Sequence, residues 1–281
     1  MIIEKRHTEA YGNVVYLTDG RTELATALDY GLRVVHLSCA GRENIFYRQD
    51  NACSDGVTTA QGWRLYGGHR FWSAPESDAS YYPDNEPVSY ALLHDGVHLT
   101  QNVDPWTKLQ KELTIRLTAD GAWQVAHKLT NRGDAPVCAA PWGVTTLRGG
   151  GTATIPFPRT VTGETNPRRV LSLWGGTSPA DPRLQFSEDE LHIRHRADVS
   201  DYCKLGVFNS TGTASYTVGG QRFTLSFVPG TPEEHPDFGC NTEVFVGVYF
   251  LELESLGALH TLRPGESACH TEHWRITKEN K

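Results

Sequence analysis

The sequence lacks any run of eighteen apolar residues, so no segment is long enough to cross a bilayer as a helix. It also lacks a basic run and a stretch in which basic and aromatic residues alternate, and its formal net charge is −7. We therefore expect neither nucleic acid nor an anionic membrane surface as a partner. The first residues contain no apolar signal-peptide core, and we expect a cytoplasmic protein.

Motifs for metal binding and redox chemistry are missing as well. None of the six cysteines are spaced as Cys-x-x-Cys, and no His-Glu-x-x-His occurs. His270 and His273 flank Glu272, but a regular strand would place the two rings on opposite faces. We therefore expect reduced thiols and neither a metal ion nor a cofactor. The three glycines at 149–151 are not followed by a lysine, which indicates a loop rather than a phosphate-binding turn.

Helical signals are scarce, whereas turn-forming residues are frequent, with 27 glycines and 15 prolines in 281 residues. The runs between these breaks are rich in β-branched and aromatic residues, which favours strands. The predicted strands are residues 13–17, 32–38, 88–94, 111–117, 123–129, 222–228, 244–254 and 272–277. One short helical pattern covers residues 20–27. Many short strands with frequent turns predict a large all-β antiparallel sandwich.

Turn signals locate several of the breaks. Asp120 and Gly121 predict a hairpin turn, residues 131–136 predict a second break, and residues 263–266 predict the turn before the last strand. The chain shows no internal repeat, no low-complexity tract and no long linker. Its length suffices for a full core, so we predict one all-β domain over residues 1–281.

Residues 63–76 combine groups that are costly to bury without partners. Gly67 and Gly68 allow a close backbone approach or a positive φ. His69 and Arg70 follow at once, which places a proton carrier beside a fixed cation. The segment also holds the carboxylate of Glu76 and the flat rings of Trp63, Phe71 and Trp72. We interpret it as one wall of a small-molecule site. The alternative is a Gly-Gly hairpin whose polar groups are satisfied.

Short motifs follow one another in order along nearly the whole chain. They lie at residues 31–33 with 44–45, 65–68 with 71–72, 129–131 with 140–142, 250–255, and 262–267 with 272–276. In residue type and order they resemble the motifs of aldose 1-epimerases (galactose mutarotases). A second set resembles the DUF4380-type branch of that superfamily: Gly-Gly-His-Arg-x-Trp at 67–72, Pro-Glu at 75–76, Lys-x-Gly at 204–206 and Gly-Cys-x-x-Glu-Val at 239–244. The resemblance implies the galactose mutarotase-like β-supersandwich and a carbohydrate ligand.

Mutarotation needs a base for the anomeric hydroxyl and an acid for the ring oxygen. By family position the resemblance implies Glu254 as the base. Glu252 shares a strand face with Glu254 if the strand is regular, and two carboxylates so close would raise the pKa of one of them. The alternative is that both carboxylates line a solvated face.

His69 is the expected acid, although the mutarotase histidine falls on Tyr66, three residues earlier. On a regular strand these two side chains face opposite sides, and the two glycines between them allow a distortion that presents either one. The second mutarotase histidine falls close to Trp142, and no histidine replaces it there. A tryptophan at that position would stack on a sugar ring rather than move protons.

Further residues are expected to shape the pocket: Arg70, Trp72, Glu76, Trp142, Lys204, Glu243 and Tyr66. Arg70 and Lys204 are suited to an anionic group on a sugar, such as a carboxylate or phosphate. The alternative is an ordinary ion pair with Glu76 or Glu243. Glu243 has the opposite strand parity to Glu254, so a bulge at Gly247 would be needed to bring both to one face.

The expected function is therefore epimerisation of a hexose or sugar acid at its anomeric carbon, with Glu254 as base and His69 as acid. Two alternatives remain: a carbohydrate-binding protein without catalysis, which the missing second histidine favours, and a lyase or isomerase of acidic sugars on the same scaffold. If His69 and Glu254 lie across one pocket, catalysis is favoured. If His69 is packed away, binding is favoured.

Overall fold

The computed structural model describes residues 1–49, 62–157, 163, 165 and 169–279. Over these residues the strands are β1 (Ile2–Thr8), β2 (Gly12–Thr18), β3 (Thr22–Ala27), β4 (Arg33–Cys39), β5 (Gly68–Ala74), β6 (Ser89–Leu93), β7 (Gly96–Thr100), β8 (Leu109–Leu117), β9 (Trp123–Asn131), β10 (Val137–Arg148), β11 (Thr152–Pro156), β12 (Leu171–Leu173), β13 (Leu184–Phe186), β14 (Glu190–Arg194), β15 (Cys203–Val207), β16 (Thr213–Val218), β17 (Gln221–Ser226), β18 (Thr242–Val246), β19 (Phe250–Leu256), β20 (His260–Leu262) and β21 (Ser267–Lys278). Helix is confined to short turns at Asp78–Tyr81, Pro232–Glu234 and Pro236–Gly239. No helix in these residues is long and apolar enough to span a membrane.

The strands form two antiparallel sheets whose inner faces share one apolar core. In the described residues, one sheet has the order β1-β2-β3-β4-β5-β10-β19-β18-β15-β12, with β20 pairing at the end of β10. The other has the order β13-β14-β11-β16-β17-β21-β9-β8-β7-β6. The core draws on both sheets, and its two largest fully buried side chains are Trp123 and Trp274. The all-β fold class is thereby confirmed.

Period-two patterning explains how the second sheet covers this core. In β8, Leu109, Lys111, Leu113 and Ile115 are buried, and the residues that alternate with them are only partly buried. Successive side chains of a strand point to opposite faces, so this alternation directs one apolar row inward. The predicted turn at Asp120 and Gly121 lies between β8 and β9, where the Gly121 amide donates to the Thr118 carbonyl.

Two secondary-structure predictions are wrong. Residues 20–27 do not form a helix: β3 occupies Thr22–Ala27 and pairs with β2 on one side and β4 on the other. Pairing on both edges and burial on both faces outweigh a weak local helical pattern. The other error is the single strand predicted over residues 244–254. The chain turns between β18 and β19, where the Gly247 amide donates to the Phe250 carbonyl.

That turn corrects the expectation for Glu243. Because β18 and β19 pair antiparallel, Glu243 lies directly opposite Glu254 and Phe245 lies opposite Glu252. The two glutamates therefore share a face without any bulge at Gly247. The parity argument failed because it assumed one continuous strand between the two residues.

The register of three central strands decides which side chains can meet. Arg70 of β5 pairs with Val144 of β10, which pairs with Glu254 of β19. His69 pairs instead with Thr145, one position along the same strands. Because adjacent positions point to opposite faces, Arg70 and Glu254 share one face of the sheet and His69 points to the other.

Candidate functional site

A cavity of about 410 Å³ opens on the face of the eleven-stranded sheet that points away from the ten-stranded sheet. Its volume lies in the range typical of small-molecule sites. Its wall combines aromatic rings with charged groups from several strands and loops. The lining residues are Arg33, Trp63, Leu65, Tyr66, Gly67, Arg70, Trp72, Glu76, Tyr81, Trp142, Val144, Thr146, Trp174, Tyr202, Lys204, Phe245, Phe250, Glu252 and Glu254.

Tryptophans from adjacent strands form one wall of the cavity. Trp72 of β5 and Trp142 of β10 are register partners, with ring centroids 5.3 Å apart. Trp63 and Tyr81 pack against Trp72 at 5.8 Å and 5.3 Å. Such edge-to-face packing fixes the rings in place. The wall offers flat apolar surface of the kind that stacks on a sugar ring.

Lys204 of β15 is the cation among the carboxylates of the site. Its Nζ lies 3.1 Å from Glu243 Oε2, 3.8 Å from Glu254 Oε2 and 3.6 Å from Glu76 Oε2. Trp142 Nε1 donates a hydrogen bond of 2.9 Å to Glu254 Oε2. The alternative interpretation of Lys204, an ion pair with Glu76 or Glu243, therefore describes its contacts with both, and Glu254 is held from two sides.

One ammonium group cannot balance the charge of all these carboxyl groups, and burial acts on each of them. Burial raises the pKa of Glu254 above its ordinary value, and Lys204 and the Trp142 hydrogen bond oppose that rise. Burial also raises the pKa of Glu243, with the charge of Glu254 adding to the effect. Burial alone would lower the pKa of Lys204, but Glu254, Glu243 and Glu76 raise it well above its ordinary value.

We expect the variant Lys204→Met to lose stability more strongly at pH 8 than at pH 5. Without the cation, the folded-state pKa of Glu243 and Glu254 rises further above the unfolded value near 4.5. A group with a raised folded pKa stabilises the fold below its unfolded pKa, and that contribution is lost as pH rises towards the folded pKa. Urea denaturation of wild type and variant at the two pH values measures the free energy of unfolding. A loss relative to wild type that is equal at pH 5 and pH 8 would contradict the prediction.

Arg70, which also lines the cavity, is held in place by Asp84. Arg70 Nη2 donates to Asp84 Oδ1 at 2.7 Å, and Arg33 Nη2 donates to the same oxygen at 3.0 Å. The Arg70 guanidinium lies 4.7 Å from the ring centroids of both Trp63 and Trp72. Burial lowers the pKa of Arg70 to about 9, against the opposing effect of Asp84. Two arginines share one carboxylate here, so this part of the wall is electropositive.

Tyr66 lines the cavity from the segment before β5. Its ring stacks on Tyr30 with a centroid distance of 4.4 Å, and the Arg33 guanidinium lies 4.7 Å from its centroid. Tyr66 therefore contributes ring surface beside the arginine pair. Among the expected site residues, Arg70, Trp72, Glu76, Trp142, Lys204, Glu254 and Tyr66 all line the cavity, and Glu243 lies behind Lys204.

His69 is not in the cavity, contrary to expectation. It is fully buried between the two sheets, and its Nε2 lies 2.8 Å from His127 Nε2 of the opposite sheet. The strand is regular from Gly68 onwards, so the alternation that brings Arg70 to the cavity turns His69 into the core. His69 and Glu254 therefore lie on opposite faces of the sheet.

Burial lowers the pKa of both His69 and His127 and keeps them neutral, and their hydrogen bonds are satisfied by one choice of tautomers. His127 Nδ1 donates to the His270 carbonyl at 3.1 Å, so His127 Nε2 accepts. His69 Nε2 must then donate to it, and His69 Nδ1 accepts from Thr145 Oγ1 at 2.9 Å. Burial lowers the pKa of His69 to about 3, with a smaller contribution from His270.

Glu272 lies beside this histidine pair, in a cluster that the sequence did not predict. Ligand-type atoms of His69, His127 and Glu272 lie within 4.8 Å of one another. Both Glu272 oxygens are already hydrogen-bonded, one to the Ser255 hydroxyl and one to Trp274 Nε1 at 2.6 Å. Burial raises the pKa of Glu272 to about 7. The cluster is a satisfied polar network between the sheets.

We expect His69→Asn to lower stability and to leave ligand affinity unchanged. The shorter side chain leaves the buried His127 nitrogen without its donor, which costs about 1–3 kcal/mol. A folded pKa below the unfolded value means that stability from neutral His69 is present above about pH 6.5 and is lost as pH falls. The stability gap between the two proteins should therefore narrow from pH 7 to pH 4 in urea titrations. Weakened ligand binding in the variant would contradict this placement.

Similarity to known proteins is found at the level of structure and not of sequence. No protein-family model matches the sequence, and no curated protein matches it by sequence. A galactose mutarotase-like protein from Clostridium acetobutylicum superposes over 99% of both chains, with a TM-score of 0.56 and 10% identity. A galactose mutarotase related enzyme from Lactobacillus acidophilus superposes over 95% of this chain and 99% of its own, with a TM-score of 0.54 and 9% identity.

The chain has the galactose mutarotase-like fold. A TPR-domain containing protein from Parabacteroides distasonis also superposes on this chain, with a TM-score of 0.64 and 15% identity over 96% of this chain. The chain spans about half of that larger protein, 48% of its length. At these identities the similarity establishes the mutarotase-like fold and no specific activity.

Several residues that line the cavity were not predicted as site residues from the sequence. Their contributions come from separate strands and loops that only the fold brings together: Arg33, Trp174, Tyr202, Phe245 and Phe250. Glu252 had a sequence signal, its two-residue spacing from Glu254. Asp84 lies in the loop after the Pro-Glu motif and orients the two arginines of the cavity.

Proposed function

We propose that this protein is an aldose 1-epimerase-like enzyme that interconverts the anomers of a hexose or sugar acid. The observation that carries the proposal is the position of Glu254. Its carboxylate is held by Trp142 Nε1 and Lys204 in an aromatic-walled cavity of a mutarotase-like sheet. A carboxylate fixed in this way is suited to accept a proton from a bound sugar hydroxyl.

The chemistry follows from the position of the base. Glu254 would take the proton of the anomeric hydroxyl while an acid protonates the ring oxygen, so that the bond between C1 and the ring oxygen breaks. Rotation of the open-chain carbonyl and closure on its other face gives the opposite anomer. Trp72 and Trp142 would stack on the ring and hold it while it opens.

The charges of the cavity favour a sugar that carries an acidic group. Arg33 and Arg70 share one hydrogen-bonded carboxylate, that of Asp84, and the charge of Glu252 also acts on Arg70. Arginine's planar fork suits a carboxylate or phosphate. Lys204, by contrast, is surrounded by carboxylates and is occupied with them. The arginine pair is thus the expected contact for an anionic substituent.

A ligand screen followed by an exchange measurement tests the proposal. Neutral sugars and sugar acids or phosphates are first ranked by their stabilisation of the protein in thermal-shift measurements. Anomer interconversion of the best ligand is then followed by NMR. Acceleration above the spontaneous rate supports the epimerase. New product signals would instead indicate a lyase or isomerase of acidic sugars.

A second candidate is a carbohydrate-binding protein without catalysis. It is favoured by one observation: the described residues that line the cavity include no histidine, since His69 lies in the core and Trp142 stands close to the other mutarotase histidine position. Binding of a sugar whose exchange rate stays at the uncatalysed value would select this candidate.

A further inference from the structure

We propose that Glu252 is the proton donor of this cavity and acts on the sugar ring oxygen while Glu254 acts on the anomeric hydroxyl. The inference rests on the proposed epimerase function. It supplies the acid that His69, buried on the other side of the sheet, does not provide.

The geometry places both carboxyl groups on the same wall. Glu252 and Glu254 are two residues apart on β19, so their side chains share a face and their Cα atoms are about 6.6 Å apart. Both line the cavity. Glu254 is 1% exposed, whereas Glu252 is only partly buried and so keeps more of its surface open. A ligand in the cavity can reach both.

The two carboxyl groups have different partners. Glu254 has Lys204 and Trp142, which both favour its ionised form. Glu252 accepts one hydrogen bond, from Thr146 Oγ1 at 2.9 Å, and no cation of the described residues pairs with it. Arg70, on the same face, is paired with Asp84. Lys204 and Arg70 act on Glu252 only at longer range, so Glu252 has less direct support for a negative charge than Glu254.

This difference in partners matches the two roles. Burial raises the pKa of Glu252 to about 8, and the charge of Glu254 adds to the effect. Glu252 therefore carries its proton at neutral pH, while Glu254 has two groups that oppose its protonation. The pKa of Glu254 is raised as well, but Lys204 and Trp142 directly oppose that rise, and such a difference in surroundings separates the acid from the base in a carboxyl pair.

Other proton carriers in the cavity fit the role less well. Lys204 is held in its charged form by three carboxylates, which makes it a weak acid. The Tyr81 hydroxyl donates to Glu76, and burial together with that contact raises its pKa above the ordinary value. Both groups therefore hold their protons too tightly to protonate a ring oxygen near neutral pH.

The proton balance closes without any other reactant. Protonated Glu252 gives its proton to the ring oxygen as Glu254 takes the proton of the anomeric hydroxyl; the bond from C1 to the ring oxygen breaks and a carbonyl forms at C1. After rotation, the former ring oxygen attacks the other face of the carbonyl and returns its proton to Glu252. Glu254 returns its proton to the carbonyl oxygen, which restores both groups.

The test compares Glu252→Gln, Glu254→Gln and wild type by their rates of anomer exchange as a function of pH. Wild type should show a bell-shaped kcat/KM profile with its alkaline limb near pH 8. Glu252→Gln should lose roughly 10²–10⁴-fold in kcat together with that alkaline limb, while the Kd for the sugar changes little. Glu254→Gln should lose catalysed exchange at every pH. Glu188→Gln, an exposed glutamate outside the cavity, is the matched control.

Thr146→Val keeps the proposal testable if Glu252→Gln folds poorly. Removing the hydroxyl removes a hydrogen bond that lowers the pKa of Glu252, so the alkaline limb should move to higher pH. Full activity and an unchanged alkaline limb in Glu252→Gln, with Glu254→Gln inactive, would overturn this inference alone. A wild-type protein that binds the sugar without accelerating exchange overturns the proposed function, and this inference with it.

Discussion

Glu254→Gln is expected to abolish catalysed anomer exchange while sugar affinity stays within a few-fold of wild type. Glutamine has the same shape as glutamate, and its amide oxygen can still accept the hydrogen bond from Trp142 Nε1. The variant lacks the basic oxygen and the negative charge that faces Lys204, and general base catalysis is typically worth roughly 10²–10⁴-fold. Because Glu254 is almost fully buried, bulk water cannot replace it as the base.

Two measurements decide this prediction. NMR exchange spectroscopy gives the rate of anomer interconversion, and isothermal titration with the same sugar gives the Kd. Glu188→Gln makes the same chemical change at an exposed position and should behave as wild type in both. A variant that exchanges anomers at the wild-type rate would exclude Glu254 as the base.

Gly68→Ala is expected to destabilise the protein by about 2–5 kcal/mol. Gly68 has a φ of +75°, which costs an L-residue about 1–2 kcal/mol. A Cβ there would also lie 2.3 Å from the carbonyl oxygen of Val34, and overpacking of this kind costs about 1–3 kcal/mol. The atom that it meets belongs to the backbone of β4, so relief requires β4 and β5 to separate. That separation would move Arg33 and Arg70, which are register partners there.

Gly121→Ala is the matched control for this variant. Gly121 has a similar φ of +79°, but a Cβ there would meet nothing within 4 Å. Gly121→Ala should lower the free energy of unfolding only by the cost of a positive φ for an L-residue, about 1–2 kcal/mol. Urea denaturation of the three proteins gives the comparison, and equal losses in both variants would show that the close approach of Gly68 to β4 has no energetic weight. Gly68→Ala should also weaken binding of acidic sugars, which Gly121→Ala should not.

Most of the fold could be predicted from the sequence because its signals are local. Turn-forming residues separate the strands, and period-two alternation marks which residues of β8 and β9 share a face. The hairpin at Asp120 and Gly121 needs only the conformational freedom of its own residues. The spacing of Glu252 and Glu254 likewise suffices to place both on one face of their strand.

The contents of the cavity depended on the tertiary structure. Alternation shows that Arg70 and His69 point to opposite faces, but only the neighbouring sheet decides which face is the core. His127 and Trp274 of that sheet contact His69, so His69 is buried and Arg70 reaches the cavity. The sequence predicted instead that His69 lies in the cavity, because a histidine beside two glycines is also a pattern of active sites.

Long-range pairing decided the remaining site residues. The hairpin between β18 and β19 places Glu243 across from Glu254, and β15 then brings Lys204 against both. Asp84 reaches Arg33 over 51 residues of sequence. The sequence by itself determined the all-β class, several of the strands and turns, and the class of chemistry available. Only the tertiary structure decided which charges meet, because the energy of a buried charge depends on neighbours that are distant along the chain.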